Sequence, residues 1–195
     1  LEGSVSIAGA AVQWLRDNLN IIDNSEDIES LAMGVKDNGD VYFVPAFSGL
    51  FSPHWDETAR GVLVGLSRFS NKSHIARAVL ESVAYQSNEL LESMEKDIET
   101  IFDTVNVDGG MIVNNLLMQF QADIFDNKVI SQKINEITAL GVGAASYLFI
   151  NNLPLENMNL FISQSKTWNP NMSNETRINS LESWYKAIEK AKNWL

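Results

Sequence analysis

The pattern of apolar and polar positions along the chain predicts strands that alternate with helices. The longest helix is predicted from Ser73 to about Lys96, because apolar side chains recur there every three or four residues. The same spacing predicts further helices within residues 4–22, 28–32, 114–125, 138–149 and 181–195. Short apolar runs predict strands within residues 40–47, 61–66, 104–107 and 129–130, and residues 151–174 are predicted to be mostly loop.

Strands followed by long helices are typical of a layered α/β fold, with a mixed sheet flanked by helices. No internal repeat, heptad pattern or low-complexity tract divides the sequence. We therefore expect residues 1–195 to form one domain. The C-terminal helix is expected to pack on this domain through an apolar face formed by Leu181, Trp184, Tyr185, Ile188 and Leu195.

The composition excludes several classes of function. The chain has 14 basic and 25 acidic residues, and its net charge of −11 argues against general binding to nucleic acid or to an anionic membrane. It has no cysteine and two histidines, so neither a disulfide nor a zinc site is expected. No apolar run is long enough to span a membrane. The first residue is Leu1 rather than methionine, so we expect a piece of a longer protein.

The motif Asp108-Gly109-Gly110 stands between a predicted strand and the next predicted helix. Glycine has no β-carbon, so both glycines can adopt positive φ and let a ligand touch the main chain. Free N–H groups at the start of the helix would suit phosphate, and Asp108 can orient a magnesium-bound water. Asn114 offers a donor and acceptors to a base or ribose. A tight turn capped by asparagine explains the same residues, and the motif alone does not decide between the two.

Other small or polar residues favour structural roles. The helix at residues 138–149 is rich in glycine and alanine, which suits close packing or a hinge. Arg60, Arg68 and Arg77 are basic residues in an acidic chain and are expected to pair with carboxylates. His54 has no nucleophile beside it in the sequence, so a hydrogen-bonded position in a loop is expected.

Four stretches, in this order, resemble the FGGY carbohydrate kinases: LEGSVSIAGAAVQWLRDNL, VYFVPAFSGLFSPHWDETARG, GVLVGLSRFSNKSHIARAVLE and VDGGMIVNNLLMQFQADI. The resemblance implies a ribonuclease H-like domain of the actin-like ATPase superfamily, with its first strands upstream of Leu1. It implies ATP or ADP and Mg²⁺ as ligands, with Asp108 acting on the metal through water. Residues 138–147 would lie at an interdomain hinge. The implied nucleotide contacts are Gly9, Gln13, Gly110 and Asn114.

Within that family, the opening stretch and the PAFSGL loop favour members that transfer the γ-phosphoryl group of ATP to glycerol. The resemblance places the general-base aspartate and most glycerol contacts upstream of Leu1, so no catalytic residue is expected in this chain. The missing N-terminal region is thus the expected partner, and the cytoplasm is the expected compartment. Assembly into a homo-oligomer stays open. Two alternative functions also stay open: a kinase for another sugar or polyol, and a nucleotide-binding module without turnover.

Overall fold

The fold is described by a computed structural model that covers residues 2–134, 136–161 and 164–195. The helices are α1 (Gly9–Asp17), α2 (Asp27–Ala32), α3 (Lys72–Ile98), α4 (Asn115–Phe125), α5 (Ile137–Ile150) and α6 (Asn174–Ala191). Short 3-10 helices occupy Gly110–Val113 and Leu155–Leu160. The strands are β1 (Tyr42–Val44), β2 (Val62–Val64), β3 (Thr104–Val107), β4 (Lys128–Gln132) and β5 (Gln164–Trp168). Across the ranges described, no helix is both long and apolar enough to cross a lipid bilayer.

The strands form two sheets. β1 and β2 pair antiparallel, with Phe43 opposite Leu63. β3 and β4 pair in parallel, β4 and β5 pair antiparallel, and the order across this second sheet is β3-β4-β5. A parallel pair needs a long crossover connection, and α4 provides it. In the part of the chain that the structure describes, β3 pairs on one side only, so its other edge is open. The predicted α/β fold with a mixed sheet is confirmed.

Helix α3 is the central element of the fold and packs against α2, α4 and β1. Asn71 sets its start, because the Asn71 side chain accepts hydrogen bonds from the N–H groups of Ser73 and His74. The Asn71 N–H in turn donates to the His74 ring, which completes a capping box. The apolar stripe predicted from the sequence is buried at Val79 and Val83.

Aromatic rings join α3 to the C-terminal helix α6. The rings of Tyr85 and Trp184 stack with their centroids 5.0 Å apart, and Phe120 of α4 meets the Tyr85 ring edge-on at 5.5 Å. Such pairs add to the stabilisation that comes from burying their large apolar area. Trp184 is fully buried. The predicted packing of the C-terminal helix on its own domain is therefore confirmed.

Strand β5 lies among residues that the sequence predicted to be mostly loop. It forms because its backbone pairs with β4, with Trp168 opposite Val129 and both side chains buried. Pairing with a distant strand leaves little local signal in a sequence, since strand formation depends mainly on context. The prediction of loop structure was wrong at these residues.

Helix α6 begins earlier and ends earlier than its apolar pattern suggests. Ser173 caps its start by accepting a hydrogen bond from the N–H of Thr176. The helix therefore includes a polar first turn that lacks the apolar spacing. It ends at Ala191, and Leu195 lies beyond it with 75% of its surface exposed. The prediction that Leu195 shares the apolar face was wrong.

A carboxylate, Glu81, is buried in the middle of α3. It accepts a hydrogen bond from Arg77 at 2.6 Å, so the predicted pairing of Arg77 with a carboxylate is confirmed. Burial raises the pKa of Glu81 to about 7, because desolvation opposes the charged form more strongly than Arg77 and Asn38 favour it.

We expect Glu81 to make the free energy of unfolding depend on pH. The pKa of Glu81 lies at about 7 in the folded chain and has an ordinary value of 4.5, so between these values the folded state binds the additional proton. Its contribution to stability is therefore complete below the ordinary value and is lost as the pH rises through about 7. Urea unfolding at a series of pH values should show this loss, and Glu81→Gln should flatten it. Identical pH profiles for the two proteins would contradict the prediction.

Candidate functional site

Strand β3 runs into the glycine turn, then into a 3-10 helix and α4. Gly109 has a φ of 90°, so the predicted positive φ is confirmed there. Gly110 opens the 3-10 helix and does not adopt positive φ. A β-carbon added at either glycine would meet nothing within 4 Å. The turn therefore presents bare main chain to open space.

This open space is a cavity of about 1210 Å³. Asp108, Gly109 and Gly110 line it together with Gly9, at the start of α1. A β-carbon at Gly9 would lie 3.9 Å from the sulfur of Met111, so α1 begins directly beside the turn. Apolar residues complete much of the lining, among them Val83, Leu90, Leu91, Met94, Val105 and Leu117. The structure thus brings three of the predicted site residues together, since Gly9 meets Asp108 and Gly110 from a distant part of the sequence.

The other two predicted contacts lie outside this lining. Gln13 is an exposed residue of α1, about one turn beyond Gly9. Asn114 is 6% exposed, and its Oδ1 accepts a hydrogen bond from the N–H of Leu117 at 2.8 Å. The asparagine cap considered from the sequence is therefore present. Contact of Gln13 or Asn114 with a nucleotide stays a prediction.

The first turn of α4 is capped by side chains of the protein itself. In addition to the Asn114 cap, Oε1 of Glu29 on α2 accepts a hydrogen bond from the N–H of Leu116 at 2.9 Å. These are N–H groups that a helix start would offer to an anion. The expectation of a phosphate at this helix start therefore does not hold at Leu116 and Leu117. In the described part of the chain, the N–H groups of Gly110 and Met111 make no hydrogen bond, and both residues border the cavity.

Asp108 is the carboxylate at the end of β3. It is exposed and borders the cavity next to the glycine turn. Among the residues that the structure describes, no group of three or more carboxylate, histidine or cysteine side chains is placed to hold a metal ion. A single carboxylate fits Mg²⁺, which keeps several of its own waters and is often held through one or two carboxylates and the substrate's phosphates.

Helix α5 is exposed over much of its surface. Val142, Phe149 and Ile150 are 66%, 84% and 75% exposed. A β-carbon added at Gly141 or Gly143 would meet nothing within 4 Å. The close packing expected for this glycine-rich helix is therefore not made at these two glycines by any residue that the structure describes.

The histidine and arginine side chains mostly have structural roles. His54 Nε2 lies 2.8 Å from Oε1 of the buried Glu89, so the predicted hydrogen-bonded loop position is confirmed. Arg60 donates to the backbone carbonyls of Glu57 and Ala59. The expected pairing of Arg60 with a carboxylate was therefore wrong, because the local turn already provides acceptors within reach.

The first described residues, 2–5, also line the cavity, which sequence reasoning missed. They cross α3 closely: a β-carbon at Gly3 would lie 2.7 Å from Cδ2 of Leu90 and 2.9 Å from the sulfur of Met94. Thr138 and Gly141 of α5 contribute from another part of the chain. The one available sequence signal was the apolar stripe of α3, whose last part faces this space.

The sequence matches the profile described as the FGGY family of carbohydrate kinases, C-terminal domain, over residues 1–146. The chain belongs to the FGGY family of carbohydrate kinases. The resemblance seen in the four sequence stretches is thus confirmed. It extends beyond the matched residues, since a glycerol kinase of Azorhizobium caulinodans is 52% identical over 195 residues. That alignment covers 100% of this FGGY chain but 39% of the length of the relative.

Solved structures show the same relationship. The structure of a Plasmodium falciparum glycerol kinase with ADP has a TM-score of 0.88 and 32% identity, and the match covers 97% of this chain and 38% of the other. A xylulose kinase from Lactobacillus acidophilus has a TM-score of 0.78 at 22% identity, with 93% of this chain and 37% of the other covered. This second match supports the fold alone. The FGGY chain therefore spans about two fifths of the length of the relatives that it matches.

Proposed function

We propose that residues 1–195 form the C-terminal nucleotide-binding domain of an ATP-dependent glycerol kinase. The observation that carries this proposal is the meeting of Gly9 with the glycine turn at one cavity. The backbone N–H groups of Gly110 and Met111 have no hydrogen-bond partner among the described residues and suit a phosphate chain, and the lack of β-carbons at Gly109 and Gly110 lets that chain approach. The similarity to glycerol kinases, one of them solved with ADP, supports the same function.

Each residue of the site has a distinct task in this proposal. Gly110 binds the phosphates through its backbone N–H, and Gly9 leaves room beside them. Asp108 orients water held by Mg²⁺. Gln13 and Asn114 act at the adenosine end. Because Oδ1 of Asn114 is already used in the helix cap, its Nδ2 group would make that contact.

Phosphoryl transfer depends on positioning and on stabilising charge rather than on covalent chemistry by the protein. Mg²⁺, when bound, neutralises part of the charge on the phosphate oxygens. The residues of this chain hold and orient the phosphates. In the proposed enzyme, the general-base aspartate and most glycerol contacts belong to the upstream region, and the whole protein acts in the cytoplasm.

Two features support the upstream region as the partner of this chain. No strand within the described ranges pairs with the outer edge of β3, and such edges are normally covered. Helix α5 exposes large apolar residues, including Phe149 and Ile150, although apolar helices are normally buried. The matched relatives have ample further chain to cover both, since this chain is 39% of the length of the first of them.

Calorimetric titration with Mg-ADP tests the proposal. Because one side of the site is open along β3, we expect binding to be at least about tenfold tighter when the chain is mixed with its upstream region than when it is alone. The mixture should also phosphorylate glycerol faster than erythritol or xylulose. Preference for another polyol would indicate a different FGGY substrate.

The control for this titration is the folding of each piece, measured by circular dichroism before mixing. Heat of binding from the chain alone would show that its own residues suffice for a nucleotide pocket. No heat from either sample, with both pieces folded, would overturn the proposal and favour a non-catalytic module that binds a partner instead of a nucleotide.

A further inference from the structure

Glu29 makes a long-range contact with the first turn of α4, close to the proposed nucleotide site. Its carboxylate accepts the hydrogen bond from the N–H of Leu116, 87 residues further along the chain. Glu29 lies on α2. This helix is anchored in the core by its own residues Ile28 and Ala32, which have 2% and 0% of their surface exposed. The carboxylate therefore comes from a packed helix rather than from a free loop.

This contact fixes the element that follows the glycine turn. The 3-10 helix Gly110–Val113 runs directly into α4, because Asn114 is the C-cap of the 3-10 helix and the N-cap of α4. The Leu117 N–H donates to Asn114, the N-cap of the same helix, whereas the Leu116 N–H donates to Glu29 on another helix, α2. Any shift in the first turn of α4 would therefore move the turn that borders the cavity.

We propose that Glu29 is a positioning residue for the nucleotide, an inference that rests on the proposed function of the glycine turn. It ties the first turn of α4 to α2 and so holds Gly110 in place. It also occupies an N–H group at the positive end of α4 that a phosphate oxygen could otherwise accept from. A phosphate chain is thereby excluded from the helix start and directed to the N–H groups of Gly110 and Met111.

The test uses the chain joined to its upstream region and three variants of Glu29. Glu29→Ala removes the acceptor, and Glu29→Asp shortens the side chain so that it does not reach Leu116. Both should raise the Kd for Mg-ADP and the KM for ATP by about tenfold, with the KM for glycerol within about twofold. Glu29→Gln keeps an acceptor of the same length and should stay within about threefold of the original protein. Glu26→Ala, at an exposed residue beside α2 that caps nothing with its side chain, is the matched control and should change neither constant.

The outcomes separate the inference from the proposed function. If the original protein binds no Mg-ADP, the proposed function and the role of Glu29 both fail. If it binds and Glu29→Asp and Glu29→Ala bind equally well, only the role of Glu29 fails. A lower Tm with an unchanged Kd below that temperature would show a merely structural contact and would also overturn the inference. If Glu29→Ala does not fold, the comparison of Glu29→Asp with Glu29→Gln decides the matter.

Discussion

A leucine in place of Gly110 is expected to raise the KM for ATP by at least about tenfold, which corresponds to about 1.4 kcal/mol of lost binding. A β-carbon at Gly110 would meet nothing within 4 Å, and the residue does not have positive φ, so the fold should accept the change. The new side chain would instead occupy the space in front of the turn, where the phosphates are proposed to lie. Steady-state kinetics of the enzyme that contains this chain should show the KM for glycerol nearly unchanged.

The size of the new side chain should determine the size of this effect. Gly110→Ala is expected to raise the KM for ATP less than the leucine does. Val113→Phe adds bulk to an exposed position of the same 3-10 helix, outside the cavity lining, and should leave both KM values unchanged. Equal increases in the KM for ATP and for glycerol would count against a phosphate site at the turn.

Gly65→Ala is expected to destabilise the fold by about 3–5 kcal/mol. Gly65 follows β2 with a φ of 80°, and a β-carbon there would lie 1.8 Å from the carbonyl oxygen of Asp40. Backbone cannot yield as a flexible side chain can, so β2 would have to separate from the segment that leads into β1. Thermal unfolding followed by circular dichroism should show a Tm lower by roughly 10 °C or more.

Gly61 at the other end of β2 provides the matched control. A β-carbon there would lie 3.4 Å from its nearest neighbours, and Gly61 does not have positive φ. Gly61→Ala should therefore cost less than about 1 kcal/mol. If the two alanine variants had the same Tm, the close approach to Asp40 would not explain why position 65 is a glycine.

Local patterns predicted the elements around the site well. Strand β3 occupies residues 104–107 and helix α4 ends at Phe125, as the apolar spacing predicted. Gly109 between them has the positive φ expected of a glycine turn. These elements are determined by neighbouring residues, because a β-prone run, a residue with positive φ and a helical stripe each leave a short-range signal.

The contacts that assemble the site could not be predicted in the same way. The approach of Gly9 to Met111 and the hydrogen bond from Leu116 to Glu29 join residues far apart in sequence, and neither follows from spacing. Asn114 shows a related difficulty. An asparagine after a turn suits a helix cap and a ligand contact equally well from sequence, and the structure shows the cap.

The close crossing of Gly3 over Leu90 and Met94 has a practical consequence for producing this chain. Because residues 2–5 line the cavity, a purification tag or fusion partner attached ahead of them would start at the rim of the proposed nucleotide site. In titrations of the chain without its upstream region, an unrelated addition at this position would compete with the ligand and weaken binding. Leu195, with 75% of its surface exposed and outside the cavity lining, is the better place to attach a tag.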